Sequence, residues 1–242
     1  MHILFAGGGT AGHINPALAV ADYIKSKHPD AKISYIGTEK GLESRLVRDA
    51  GYDFYAIEVA GFQRKISLQN IKRNISALRK MFTSSVAARK ILKKLSPDVV
   101  VGTGGYVSGP VLREAAKLKI KTCIHEQNAY PGITTKALAP IVDRVMVAMP
   151  EAQEHLKCKK EFIVTGNPVR NSMTLATKDD AKKKLGVGDM QLILSFGGSL
   201  GAKPINEAVS GMIARFTKNN KYYFIHATGK NGYDTTCALL KE

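Results

Sequence analysis

The sequence predicts an α/β protein built on doubly wound parallel sheets, and three observations carry that expectation. Short runs rich in β-branched residues recur along the chain and are apolar almost throughout, as strands covered on both faces must be. Stretches of helical length separate them, giving repeated βα units. Glycine-rich loops stand where strands hand over to helices.

The first strand is Ile3–Ala6. It is too short for a signal-peptide core and lacks a basic n-region, so it reads as buried structure. The loop Gly7-Gly8-Gly9-Thr10-Ala11-Gly12-His13 follows directly. Asn15 offers an N-cap side chain and Pro16 suits a first helical position, so the first helix is expected to begin there. Ala17, Val20, Ala21 and Ile24 recur at helical spacing along it. Ile33–Ile36, Phe54–Glu58, Asp98–Val101, Lys121–His125, Arg144–Val147 and Phe162–Val164 are the further strands of this set. The turn formers Thr165-Gly166-Asn167-Pro168 mark a linker, which divides residues 1–165 from 166–242. A second set then opens: a helix Lys178–Leu185, a strand Gln191–Ser195, a helix from about Pro204 to Phe216, and a strand Tyr222–Ala227. Two or three strands do not close a covered parallel sheet, so this second domain is expected to be incomplete in the chain. The 242 residues alone are accordingly not expected to turn over substrate.

Composition narrows the partners. The 242 residues suffice for one large domain or two modest ones, and 44% hydrophobic with 23% charged content is ordinary for a folded chain. No stretch reaches the roughly 18 uninterrupted apolar residues of a membrane span. Cys123, Cys158 and Cys237 are odd in number and far apart, which argues against a disulfide framework or zinc site and for the cytoplasm. The net charge of +16 favours polyanions, whether nucleic acid, anionic lipid or a phosphorylated substrate.

Two more glycine loops follow strands: Gly102-Thr103-Gly104-Gly105-Tyr106-Val107-Ser108-Gly109-Pro110, and Phe196-Gly197-Gly198-Ser199-Leu200-Gly201-Ala202. Glycines let a backbone approach a phosphate, and free N–H groups at a helix start favour the anion. Ligands of such sheets bind at the carboxyl ends of the strands, so the loops are expected to place phosphate sites on both walls of an interdomain cleft. Residues 7–12 also satisfy G-x-G-x-x-G, which raises an NAD-dependent Rossmann oxidoreductase as the alternative. Its ribose-binding acid should end the second strand; that strand closes with Ile36-Gly37-Thr38, and Glu39 comes late.

The motifs occur together in one order: Gly8-Gly9-Thr10-Ala11-Gly12-His13, Gly104-Gly105-Tyr106-Val107-Ser108-Gly109-Pro110, His125-Glu126-Gln127-Asn128, Gly166-Asn167-Pro168-Val169-Arg170, and Gly197-Gly198-Ser199-Leu200-Gly201-Ala202. In this the chain resembles the MurG family of bacterial peptidoglycan N-acetylglucosaminyltransferases over essentially all its length. Two mild departures are Ala11, where many members carry glycine, and Leu200, where many carry glutamine. The resemblance implies a GT-B architecture of two Rossmann-like domains facing across a cleft. It implies inverting transfer of N-acetylglucosamine from UDP-N-acetylglucosamine to the muramyl C4 hydroxyl of undecaprenyl-diphosphate-linked muramyl pentapeptide, lipid I. No cofactor is implied, and a divalent metal is not obligatory.

His13 is the first candidate for general base, at a loop mouth beside a helix start that disfavours the imidazolium form. Glu126 competes for that role, or holds its loop through backbone amides. By the resemblance, Asn128 and Arg170 contact the nucleotide sugar and Ser199 the UDP diphosphate. Thr10, Ala11, Gly12, Gly104 and Gly105 line the cleft, and Tyr106 either touches the lipid-linked diphosphate or packs beside its loop.

The region Val59–Pro97 carries ten basic residues and no acidic one. Leu68, Ile71, Ile75, Leu78 and Phe82 form one helical face, with Lys72, Arg73, Arg79 and Lys80 around it. Two readings compete: a core-facing stripe with a solvated basic face, or an interfacial helix on anionic lipid at the cytoplasmic face of the plasma membrane. The missing acids favour the second. No nucleic-acid motif is present, so a nucleic-acid module is the weaker alternative.

Overall fold

All seven apolar runs of the first domain form strands: β1 (His2–Gly7), β2 (Lys32–Gly37), β3 (Asp53–Ala56), β4 (Val99–Gly104), β5 (Lys121–Glu126), β6 (Arg144–Val147) and β7 (Phe162–Val164). They are seen in a computed structural model, which describes residues 1–59, 83–158, 160–170, 175, 177–198, 200–216 and 221–240. The strands build one sheet in the order β3-β2-β1-β4-β5-β6-β7, every pair parallel. Crossovers are supplied by α1 (Ala11–Lys27), α2 (Leu42–Asp49), a helix α3 over 83–95, α4 (Gly105–Lys117), α5 (Ile133–Leu138) and a 3-10 turn Pro150–His155. The chain builds outward from β1 to β3, then returns to β4 and builds the other way. The switch point between β1 and β4 is where such sheets open a crevice.

The apolar strands feed two cores, because successive side chains point to opposite faces. Ile3 and Phe5 pack with Ile14, Leu18, Tyr35 and Val47, whereas Leu4 and Ala6 pack with Val100, Leu112 and Ile124. Strand β3 begins earlier than Phe54 and ends before Glu58, because its pairing with β2 runs from Ser34↔Asp53 to Gly37↔Ala56 and stops where β2 stops.

The start of α1 differs from the sequence expectation. Thr10 is the N-cap and the helix begins at Ala11, so Asn15 and Pro16 lie inside it. His13 and Ile14 amides already donate to the Thr10 carbonyl, at 3.0 and 3.3 Å, and buried Ile14, Ala17 and Leu18 seat that extra turn on the sheet. Pro16 then costs one ladder bond, the one its missing N–H would have given the Gly12 carbonyl. Pro110 in α4 occupies the equivalent sixth position.

The expected membrane face (Leu68, Ile71, Lys72, Arg73, Ile75, Leu78, Arg79, Lys80, Phe82) lies outside the described residues. Helix α3, later in the same basic region, buries Ser84, Ala88 and Leu92 and exposes Arg89, Lys90, Lys93 and Lys94. Arg89 also donates to Glu114 of α4 at 3.1 Å. Over residues 83–95 the helix thus sets a buried side against an exposed basic one. Among the described residues no helix is long and apolar enough to cross a membrane.

The two compact units are Met1–Thr174 and Leu175–Glu242. The segment after β7 stays with the first unit because His125 Nε2 bonds the Gly166 carbonyl at 3.1 Å and Arg170 Nε donates to Asp22 of α1 at 2.9 Å. The second unit pairs β8 (Gln191–Phe196) with β9 (Tyr222–Ala227) in parallel. Around this pair run α6 (Lys178–Leu185), α7 (Lys203–Phe216) and α8 (Tyr233–Leu239), the last unforeseen from the sequence. Thr177 caps α6 by accepting from the Asp180 amide at 3.2 Å, and Gly186 closes it in the left-handed region at φ 65°.

Candidate functional site

At the switch point the first two glycine loops meet backbone to backbone. A Cβ on Gly105 would strike the Gly8 peptide, and the φ angles of Gly104 (104°) and Gly105 (76°) belong to glycine in any case. Ser108 locks the junction from beneath: its hydroxyl lies 2.7 Å from the Ala6 carbonyl and 2.8 Å from that of Gly104, and accepts from the Gly104 amide at 3.1 Å. The ends of β1 and β4 are thus tied through one buried side chain.

His13 projects from the first turn of α1 into this junction. Its ring lies flush against Gly104, where a Cβ would come within 2.7 Å of Cδ2. Nδ1 is 2.9 Å from the Gly8 carbonyl and 3.4 Å from the Thr10 hydroxyl. A carbonyl only accepts, so Nδ1 carries the proton. In the neutral ring Nε2 is then left with its lone pair, and among the described residues it has no hydrogen-bond partner. That is the tautomer a general base requires.

Beneath the first loop lies Glu43, a residue sequence reasoning missed. It is 0% exposed. Oε1 accepts from the Thr38 amide at 3.0 Å and hydroxyl at 2.7 Å, and Oε2 accepts from the Gly9 amide at 3.1 Å. A Cβ on Gly8, Gly37 or Gly41 would collide with its side chain. Burial pushes the Glu43 carboxyl up, but the bonds from Thr38 and Gly9 outweigh that and hold it below its ordinary value. Of the loop amides expected to face a phosphate, that of Gly9 is therefore engaged by a carboxylate. The Gly9 amide serves a buried carboxylate, and an anion taking its place would leave that charge short of a donor. The same loop thus holds two side chains, Glu43 through the Gly9 amide and His13 through the Gly8 carbonyl.

The end of β5 braces the neighbouring loops. Glu126 is 3% exposed; Oε1 accepts from the Asn128 amide at 3.1 Å and side-chain Nδ2 at 2.9 Å, and Oε2 from the Gly132 amide at 3.0 Å. With both oxygens engaged, Glu126 holds its loop, and of its two expected roles that is the one the geometry matches. Gln127 Nε2 reaches the Thr103 carbonyl and His125 Nδ1, each at 3.0 Å, so His125 donates from Nε2 to Gly166. Burial holds His125 below the ordinary histidine value.

Thr10, Gly12, Tyr106 and Asn128 are exposed around the junction, with Ala11 and Gly105 half-buried beside them. Tyr106, 55% exposed at the start of α4, presents its ring to solvent. Arg170 is not brought to the junction. Its partner Asp22 stands eleven residues beyond Ala11, about 16 Å along α1 at 1.5 Å per residue. Ser199 lies outside the described residues.

Residues 3–147 match the glycosyltransferase family 28 N-terminal domain, and residues 192–240 the glycosyltransferase family 28 C-terminal domain. The UDP-N-acetylglucosamine–N-acetylmuramyl-(pentapeptide) pyrophosphoryl-undecaprenol N-acetylglucosamine transferase of Acetivibrio thermocellus is 47% identical over 243 residues, aligning with 100% of this chain and 65% of that protein. The protein of the same name from Clostridioides difficile is 43% identical, with 100% of this chain aligned to 59% of it. The chain therefore spans less than two thirds of the length of these relatives. Among solved structures, Acinetobacter baumannii MurG is 30% identical with a TM-score of 0.68, covering 100% of this chain and 62% of that one. A glycosyltransferase from Rickettsia africae shares the fold at a TM-score of 0.66 and 12% identity, over 99% of this chain and 64% of that one. On the match over residues 3–147, the chain belongs to glycosyltransferase family 28.

Proposed function

We propose that the protein is an inverting N-acetylglucosaminyltransferase, using UDP-N-acetylglucosamine as donor and undecaprenyl-diphosphate-linked muramyl pentapeptide as acceptor. The observation that carries this reading is His13, held with Nδ1 protonated and Nε2 free at the switch point of a family 28 domain. As the muramyl C4 hydroxyl attacks the anomeric carbon of the donor, its proton passes to His13 Nε2. The bond to the UDP oxygen breaks on the opposite face, giving inversion, lipid II and free UDP. The names of the relatives support the choice of substrates. Asn128 is a candidate for the donor sugar and Tyr106 for the acceptor diphosphate, since both are exposed beside the junction. No divalent metal is needed in this reading, and transfer is expected to survive chelation.

The test is transfer of labelled N-acetylglucosamine to a lipid I analogue by the full-length protein. His13→Ala is expected to lower kcat by ~10²–10⁴, with donor affinity nearly unchanged. Calorimetry should detect UDP and not NADH; tight NADH binding without UDP binding would overturn the assignment.

The proposal extends to location: peripheral docking on the anionic cytoplasmic face of the plasma membrane, supported by the acid-free region 59–97 and the exposed Lys90, Lys93 and Lys94. Each basic side chain near such a leaflet contributes about 1 kcal/mol. Co-sedimentation with anionic vesicles is expected at about 0.05 M salt and should weaken near 0.5 M, where the screening length contracts. Changing Lys72, Arg73, Arg79 and Lys80 to Glu should abolish docking and leave UDP binding intact.

A further inference from the structure

We infer that Glu43 is a positioning residue for His13, fixing its tautomer through the Gly8–Gly9 peptide. The inference deepens the transferase reading and rests on it for its catalytic meaning. The peptide unit between Gly8 and Gly9 is planar, with its N–H and C=O pointing opposite ways. Its N–H donates to Glu43 Oε2 at 3.1 Å, and its C=O accepts from His13 Nδ1 at 2.9 Å. One peptide therefore links a buried carboxylate to the imidazole.

The direction of that peptide decides which nitrogen of His13 is basic. Turned over, it would present the Gly9 N–H toward Nδ1, which would then have to accept, leaving the proton on Nε2 and no lone pair for a substrate hydroxyl. Such a turn changes only ψ of Gly8 and φ of Gly9, and glycine tolerates both senses. Three consecutive glycines would offer little resistance by themselves. The carboxylate supplies it, because a turned peptide would set the Gly8 carbonyl against the Glu43 charge in a fully buried site. Glu43 cannot swing away to relieve this: Thr38 holds its other oxygen twice, and Gly8, Gly37 and Gly41 leave no room around it. The amide also passes polarisation along the line, since a hydrogen bond accepted at one end strengthens the bond at the other.

Two measurements test this. Nitrogen NMR of the histidine-labelled protein, without substrate, should find His13 protonated at Nδ1, and Glu43→Gln should mix the two tautomers. A wild-type His13 protonated at Nε2, or a tautomer indifferent to Glu43→Gln, overturns the inference. Should Glu43→Gln fail to fold, Thr38→Val keeps the carboxylate, removes one donor to it, and should give a smaller shift in the same direction; an unmoved tautomer there also overturns it. In the full-length enzyme Glu43→Gln should lower kcat by less than the ~10²–10⁴ of His13→Ala, with the donor KM kept. In a His13→Ala background it should change the residual rate by less than about twofold, because the residue it positions is gone. Equal losses in both backgrounds would mark Glu43 as a brace for the loop alone and overturn the inference. Absence of transfer by the wild type would overturn the transferase reading and leave the tautomer measurement standing.

Discussion

A side chain that must present a lone pair has to be held by its other end, and at His13 that hold has two parts. The Gly8 carbonyl fixes the proton and Gly104 gives the ring a flat wall. Gly104→Ala should break the second. The new methyl would sit 2.7 Å from Cδ2, at a φ of 104° that costs an L-residue about 1–3 kcal/mol. The expected result is a lowered melting temperature and a larger fall in kcat than in UDP affinity. His13 was legible in the sequence because a polar ring directly after a glycine loop, at a helix start, has few other places to point. Glu43 was not. Its signal is spread over Gly37, Thr38 and Gly41, whose meaning appears only when a strand end, a turn and the first glycine loop close around one carboxylate. For Glu126 the sequence left base and brace open, because a carboxylate serves either. Three amide donors within 3.1 Å match the second.

Among the elements, strands were read more surely than helix starts. A covered parallel strand announces itself by continuous apolarity, whereas α1 begins a full turn before its proline, against the rule that proline marks the first helical position. That rule describes what proline prefers, and the burial of Ile14 outweighs the single bond lost. Helix α3 divides its sides clearly over residues 83–95. Leu92 is wholly buried, so Leu92→Ala should cost about 2–5 kcal/mol in denaturant unfolding. Reversing the charge of exposed Lys90, Lys93 and Lys94 should shift stability by less than about 0.5 kcal/mol each.

For the whole molecule, the shifted groups give acid a single sign. His125 and His2 titrate below the ordinary histidine value because burial opposes the charged ring. The unfolded chain binds their protons first, so their contribution is complete above about pH 6.5 and is lost as pH falls through it. Glu43 and Glu114 are held low by bonds that outweigh burial, and Asp143 by the amide and hydroxyl of Thr122. Their contribution is present above the ordinary carboxylate range and is lost as pH falls below about 4.5. Melting temperature should therefore decline in two stages on acidification. His125→Gln should flatten the first and spare the second; a melting temperature that rises between pH 7 and 5 would contradict the assignment.

The contact between Gly8 and Gly105 has a consequence for how the protein can vary. Elsewhere in the fold a crowded side chain can rotate aside, and a substitution is absorbed by its neighbours. Two peptides in contact have no rotamers, so the junction is a hard stop with no slack in it. A saturation-mutagenesis map should show this as a sharp contrast among the glycines. Gly105, whose Cβ would enter the Gly8 peptide, should reject even alanine. Gly211, on α7 with open space where a side chain would project, should accept most residues.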